Sequence, residues 1–203
     1  MAIKLKRNGI LYVISAPSGG GKSTVLKKLL SADPQIEYSV SVTTRPMREG
    51  EINGKSYFFV TREKFEEMIK EGKFLEWASV HGYLYGTRKD IIEQALLKRK
   101  DIALDIDFQG GLNIKRQLPE SVLIFLLPPS MKILEERLRG RHSDSPETIS
   151  LRLKNAREEI SHSKEYDYIL INDELDTTVT LVQSIIEAER SRTSRLSYEF
   201  IDP

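Results

Sequence analysis

Ser15-Ala16-Pro17-Ser18-Gly19-Gly20-Gly21-Lys22-Ser23-Thr24 follows the apolar run Ile10-Leu11-Tyr12-Val13-Ile14 and opens into the helical pattern Thr24-Val25-Leu26-Lys27-Lys28-Leu29-Leu30. Strand, glycine loop, Lys-Ser and helix in that order predict a phosphate cradle of the P-loop type. Glycines let backbone N–H groups approach a phosphate with no Cβ in the way. The helix start adds unpaired N–H groups and its positive dipole end. Lys22 is expected at the β- and γ-phosphates, and the Ser23 hydroxyl at a magnesium ion. Ala16 stands where the pattern usually has its first glycine, and adds only a methyl group. The ligand class is a nucleoside triphosphate with magnesium.

Working outward, three further apolar runs read as buried strands: Ile102–Ile106, Val122–Leu127 and Tyr168–Ile171. Helical patterns separate them, which predicts a parallel sheet with crossover helices. Ser130 is the expected N-cap of a helix to Arg139, with Met131, Leu134 and Leu138 on its apolar face. A last helix is expected over Asp176–Arg190, followed by a charged tail that frays. Two insertions interrupt the alternation. In the first, Tyr38–Val42 and Lys55–Val60 read as strands, Thr61 caps a short helix ended by Gly72, and Phe74–Val80 pairs with Tyr83–Tyr85. The second is arginine-rich and restarts as a helix at Ser145-Pro146. The predicted fold is α/β, a three-layer P-loop core with a mainly parallel sheet, a small mixed α/β insertion and a helical one. One domain of 203 residues holds them: core 1–36, 90–136 and 165–203, insertions 37–89 and 137–164.

There is no cysteine, which excludes disulfides and thiolate metal sites. With 31 basic and 30 acidic residues, no global field argues for nucleic acid or membrane. Lys4, Lys6 and Arg7 precede an apolar run too short for a membrane span, so a cytoplasmic protein is expected. Anion recognition falls to local clusters. Arg45 and Arg48, in Thr43-Thr44-Arg45-Pro46-Met47-Arg48, form a candidate clamp for a second phosphate. Tyr57, Tyr85 and Thr87 offer hydroxyls. Glu76 sits in an apolar strand, where a carboxylate can accept from the guanine N1–H and N2–H₂ donors but finds no such pair on adenine. Arg137, Arg141 and Arg152 suit a flap over a transferring phosphoryl group. Asp105 and Asp107 end a core strand, where ligands bind in open α/β sheets. One is expected to reach the second substrate, and the other to hold magnesium through water.

Together these segments resemble the guanylate kinase family of ATP:GMP phosphotransferases over nearly the whole chain. The specific motifs are Thr44-Arg45-Pro46-Met47-Arg48, Gly50-Glu51-Ile52-Asn53-Gly54-Lys55-Ser56-Tyr57, Glu76-Trp77-Ala78, Tyr85-Gly86-Thr87, Asp105-Ile106-Asp107-Phe108-Gln109-Gly110 and Ile171-Asn172-Asp173. The resemblance implies that Arg45, Arg48, Tyr57 and Tyr85 hold the GMP phosphate, and that Ser41, Glu76, Thr87 and Asp105 read guanine or its surroundings. It implies that Lys22, Arg141 and Arg152 stabilise the transferring group alongside Arg45, and that Arg137 and Asn172 lie near adenine. Ala16–Thr24 holds ATP, with Ser23 and Asp107 on the metal side. Residues 37–89 become the mobile GMP-binding region, and 137–164 the lid. ATP and GMP are the expected partners, dGMP a further acceptor, and a monomer or homodimer the expected state. One departure stands out: the family's lid commonly reads Gly-Arg-Gly, where this chain has Gly140-Arg141-His142. A phosphopeptide-binding scaffold of the same family would not need the intact phosphate loop. A P-loop GTPase would need an Asn-Lys-x-Asp motif, which this sequence lacks.

Overall fold

Leu11–Ser15 is buried at all five positions, and a strand with no exposed face needs neighbours on both edges and layers on both sides. The computed structural model, which describes residues 2–80, 82–140 and 145–201, provides them. Strand β1 (Ala2–Arg7) precedes β2 (Leu11–Ser15), and the glycine loop leads into helix α1 (Lys22–Ala32) and then β3 (Ile36–Tyr38). An excursion follows through β4 (Val42–Thr43), β5 (Phe58–Phe59), α2 (Arg62–Lys70), β6 (Phe74–Val80) and β7 (Tyr83–Arg88). The chain returns by α3 (Lys89–Leu97), β8 (Asp101–Asp105), α4 (Phe108–Gln117), β9 (Val122–Leu127) and α5 (Met131–Arg139). It ends with α6 (Pro146–Ser161), β10 (Tyr168–Ile171), α7 (Leu175–Arg190) and β11 (Leu196–Ile201).

The core sheet has the order β10-β9-β2-β8-β3, and every pairing in it is parallel. Alternation along the strands sorts the core into two layers. Tyr12, Ile14, Ala103, Ile124 and Leu126 pack with Val25 and Leu29 of α1 and Val182 and Ile186 of α7. Val13, Ile102, Leu104, Leu123 and Phe125 pack with Ile92 of α3 and Ile114 of α4. This is the expected three-layer α/β core. The strand order reverses beside β2, which places the ligand crevice at its C-terminal end.

Several expectations are corrected. The strand expected over Tyr38–Val42 is two strands in two sheets. Ser39 N still donates to Ala103 O of the core at 2.9 Å, while Ser41 O accepts from Phe58 N of the second sheet at 2.9 Å. The backbone changes sheets within three residues, and position 37 falls inside a core strand. Strand β10 is not buried on both faces. It lies at the sheet edge, with Tyr168 and Leu170 inward and Ile169 and Ile171 exposed. The tail does not fray: β11 pairs antiparallel with β1 from Arg7↔Leu196 to Ala2↔Ile201.

The second sheet has the order β5-β4-β7-β6. The expected strand over Lys55–Val60 shrinks to β5, because Gly54 N–Tyr57 O and Asn53 Oδ1–Phe59 N bonds fold the Asn53-Gly54 turn on itself. Phe65 of α2 is fully buried under this sheet with Val42 and Leu84. Capping follows the sequence: Thr61, Ser130 and Ser145 accept from Lys64 N, Ile133 N and Thr148 N. Helices α5 and α6 pack through Leu134, Leu138, Ile149 and Ala156, and position 137 lies within α5. No helix among the described residues is long and apolar enough to cross a membrane.

Candidate active site

Gly19 and Gly21 take φ of 87° and 86°, the left-handed region that side chains avoid. A Cβ on Gly21 would also lie 2.5 Å from Asn172 Nδ2. Gly20 stays on the usual side of φ, its N–H donating to Pro17 O. The loop therefore curls over the start of α1, which has no side-chain cap and leaves its first N–H groups to an anion. Ala16 is buried, its methyl group among the core side chains that include Val25 and Ile124. Ser18 is half-buried, and Thr24 is exposed. The Asn172 amide donates to Gly20 O at 2.7 Å, tying the end of β10 to the loop. Arg137 donates to Asn172 O at 3.0 Å. Arg137 and Asn172 line a cleft of about 270 Å³ together with Gly19, Gly21 and Thr24.

On the other side of the loop, Lys22 Nζ donates to Ile106 O at 2.9 Å. Ser23 Oγ donates to Asp105 Oδ2 at 3.0 Å, and Tyr38 Oη donates to Asp105 Oδ1 at 2.8 Å. Burial, then the Asp105 charge, pushes the Tyr38 phenol far above its ordinary value, so it stays a donor. Both acids of this strand end line the cleft that holds Glu76. Asp105, expected near guanine, lines that cleft while it accepts from Ser23 and Tyr38. Asp107, expected at the metal, caps α4 by accepting from Gly110 N at 2.8 Å. Its charge also raises the Glu76 carboxyl. The pairing of Ser23 and Asp105 oxygens suits magnesium, a hard cation that takes one or two protein oxygens beside phosphates and water.

Lys22, Ser41, Tyr57, Glu76, Tyr85, Asp105 and Asp107 surround one cleft of about 220 Å³. Glu76 is 8 % exposed and accepts from Thr87 Oγ1 at 2.6 Å. Burial pushes its carboxyl up to about 7, against the opposing Thr87 bond. Arg45 is buried beside this cleft, its guanidinium 5.5 Å from the Tyr57 ring centre. It donates to Glu51 Oε1 at 2.6 Å, and Glu51 Oε2 accepts from Arg48 N at 2.7 Å. Glu51 is lowered below the carboxylate range by the Arg45 bond, and the Arg48 side chain is exposed. Glu51 and Tyr38 received no role from the sequence. Their signal was only that each stands in or beside a motif. Arg152 lies on α6, on the face of Ile149 and Ala156. Arg141 and His142 lie outside the described residues.

A phosphate loop at the switch point of a parallel sheet, facing a second cleft with a buried acid, defines a nucleoside monophosphate kinase of the P-loop class. The guanylate kinase family model matches residues 8–189, and the chain belongs to that family. The guanylate kinase of Syntrophotalea carbinolica is 49 % identical over 96 % of this chain and 93 % of its own. That of Rhizobium meliloti is 47 % identical over 98 % and 93 %. The crystal structure of guanylate kinase from Anaplasma phagocytophilum superposes with a TM-score of 0.82 at 38 % identity, over 95 % of this chain and 92 % of that one. The chain is accordingly an enzyme with ATP:GMP phosphotransferase activity.

Proposed function

We propose that this enzyme moves the ATP γ-phosphoryl group reversibly to GMP and also to dGMP, giving ADP and the nucleoside diphosphate. The observation that carries the acceptor assignment is the buried Glu76–Thr87 pair, in the cleft that Lys22 enters from the donor side. Ser41, Glu76, Thr87 and Asp107 read guanine, while Arg45, Arg48, Tyr57 and Tyr85 take its phosphate. Asp105 moves to the metal side with Ser23.

Glu51 holds the Arg45 guanidinium and the Arg48 backbone in one frame before the acceptor arrives, so less ordering remains on binding. Lys22 exchanges Ile106 O for phosphate oxygens. The attacking GMP oxygen is already anionic, so no general base is needed. Positioning and the charges of Lys22, Arg45, Arg141 and Arg152 lower the barrier. Magnesium, when bound, offsets charge on the β- and γ-phosphates. Residues 37–89 and 137–164 close over the two nucleotides and exclude water. The enzyme works in the cytoplasm as a monomer or homodimer.

The test is phosphoryl transfer from ATP to GMP, AMP, CMP and UMP, with Lys22→Ala alongside. GMP is expected to outcompete the others. K22A is expected to lose roughly 10²- to 10³-fold in kcat while GMP still binds. AMP matching GMP would overturn the acceptor assignment, and an active K22A the donor assignment.

A further inference from the structure

Asp105 stands between two open spaces. One is the cleft that holds Glu76. The other is a groove of about 540 Å³ that the reaction above does not use, with Leu26, Lys27 and Leu30 of α1 on one wall and Lys55 and Tyr57 on the other. The χ2 torsion of an aspartate is broad, so with space on both sides only bonds fix the direction of its carboxylate. Two do so. Oδ2 accepts from Ser23 Oγ at 3.0 Å, and Oδ1 accepts from Tyr38 Oη at 2.8 Å. The two donors are not equivalent. Ser23 is exposed, and its hydroxyl can turn to another acceptor. Tyr38 is anchored: its ring packs with Leu30 against the core, and its backbone pairs with Ala103 of β8. Ala103 and Asp105 lie two apart and share a face of that strand, so phenol and carboxylate are held by one sheet.

We propose that Tyr38 is a positioning residue for the reaction: its phenol holds one oxygen of Asp105 on the groove side, so that the other is presented beside Ser23 to the magnesium ion that accompanies ATP. The inference rests on the reading above that places Asp105 on the metal side. A carboxylate that serves a cation is oriented by the hydrogen bonds it accepts from behind, and one ordered in advance has less freedom to lose when the cation arrives. A phenol suits the task because it carries no charge. It fixes Oδ1 and leaves the negative charge of Asp105 for the cation. Without it, the carboxylate is free to turn into the groove, where Lys27 and Lys55 offer competing ammonium groups.

The test is Mn²⁺ binding, read by electron paramagnetic resonance, to the full chain in complex with a non-hydrolysable ATP analogue. It compares the unaltered protein with Tyr38→Phe, Asp105→Asn and the double variant. Phenylalanine keeps the ring against Leu30 and removes only the donor, and thermal melts accompany each variant. Tyr38→Phe is expected to weaken Mn²⁺ about 10-fold, and Tyr38→Leu, a second donor-free variant, to match it. Affinities for GMP and for the analogue without metal are expected to change less than about 2-fold. In the Asp105→Asn background, Tyr38→Phe is expected to add nothing, because the charge it orients is gone. Unchanged Mn²⁺ affinity in Tyr38→Phe beside a weakened Asp105→Asn overturns the inference alone. So do additive losses in the double variant, or an equal loss of GMP and metal-free analogue, which mark a packing role. If Asp105→Asn binds Mn²⁺ as the unaltered protein does, the metal-side reading of Asp105 falls first and the inference with it.

Discussion

Glu76 shows how one side chain couples recognition to pH. Its carboxyl titrates near 7 in the folded protein against about 4.3 for a solvated glutamate. In that interval the folded state holds a proton that the unfolded chain has released. The stability it contributes is present below the unfolded value and is lost as pH rises through 7. Guanine donors need the ionised form, so GMP binding below pH 7 must expel a proton. GMP affinity is therefore expected to fall by up to about 10-fold per pH unit below 7, read by calorimetry in buffers of different ionisation heat. Glu76→Gln keeps the Thr87 bond and removes the buried charge. It is expected to raise the melting temperature at pH 8, by roughly 4 kcal/mol of stability at most, and to lose preference for GMP over AMP. A melting temperature unchanged at pH 8 would contradict the burial argument. Glu76, Arg45 and Lys22 were legible in the sequence because each chemistry is marked by a local motif. Glu51 was not, because its role depends on Arg45 turning back toward it. Tyr38 was not, because its partner Asp105 comes from a distant segment. Asp105 and Asp107 were found together, but two residues of spacing cannot say which side of the crevice each acid serves.

Among elements, the glycine loop and α1 act as one device. Gly21 is both the left-handed N-cap residue and the neighbour of Asn172 at the end of β10. Gly21→Ala strains the backbone and displaces the Asn172 amide from Gly20 O. It is expected to cost about 1–3 kcal/mol in urea unfolding and to abolish measurable triphosphate binding, with GMP binding kept. Retained triphosphate affinity would show that the cradle tolerates a Cβ. Helices were legible through their caps, because Thr61, Ser130 and Ser145 each bind an N–H three residues on. Sheet membership was less so. The transfer of Tyr38–Val42 between sheets depends on Ala103 and Phe58, which lie far along the chain. Interior strands announced themselves by apolar runs, but β10 has the same composition and sits at an edge, where only its pairing geometry decides exposure.

At the scale of the molecule, the site is where three parts meet: the C-terminal ends of the core strands, the second sheet, and the α5–α6 pair. The interruptions of the α/β alternation mark where the second sheet and the α5–α6 pair leave the core. The β1–β11 ribbon was not legible in the sequence, because two short segments pair only once the whole core has brought Arg7 and Arg195 together, where Asn8 N donates to Arg195 O at 3.0 Å. The ribbon decides how the molecule carries mechanical load. Tension applied at residues 2 and 201 pulls across paired strands from their free end, so the bonds yield one rung after another instead of shearing together. An optical-trap experiment with handles at those positions is expected to show a low-force peel through the six-residue strands, ending at Arg7 and Leu196, before the core rupture. Phosphoryl transfer should continue through the peel, since no described residue of either strand lines the two clefts, and stop only when β2 is drawn out of the sheet.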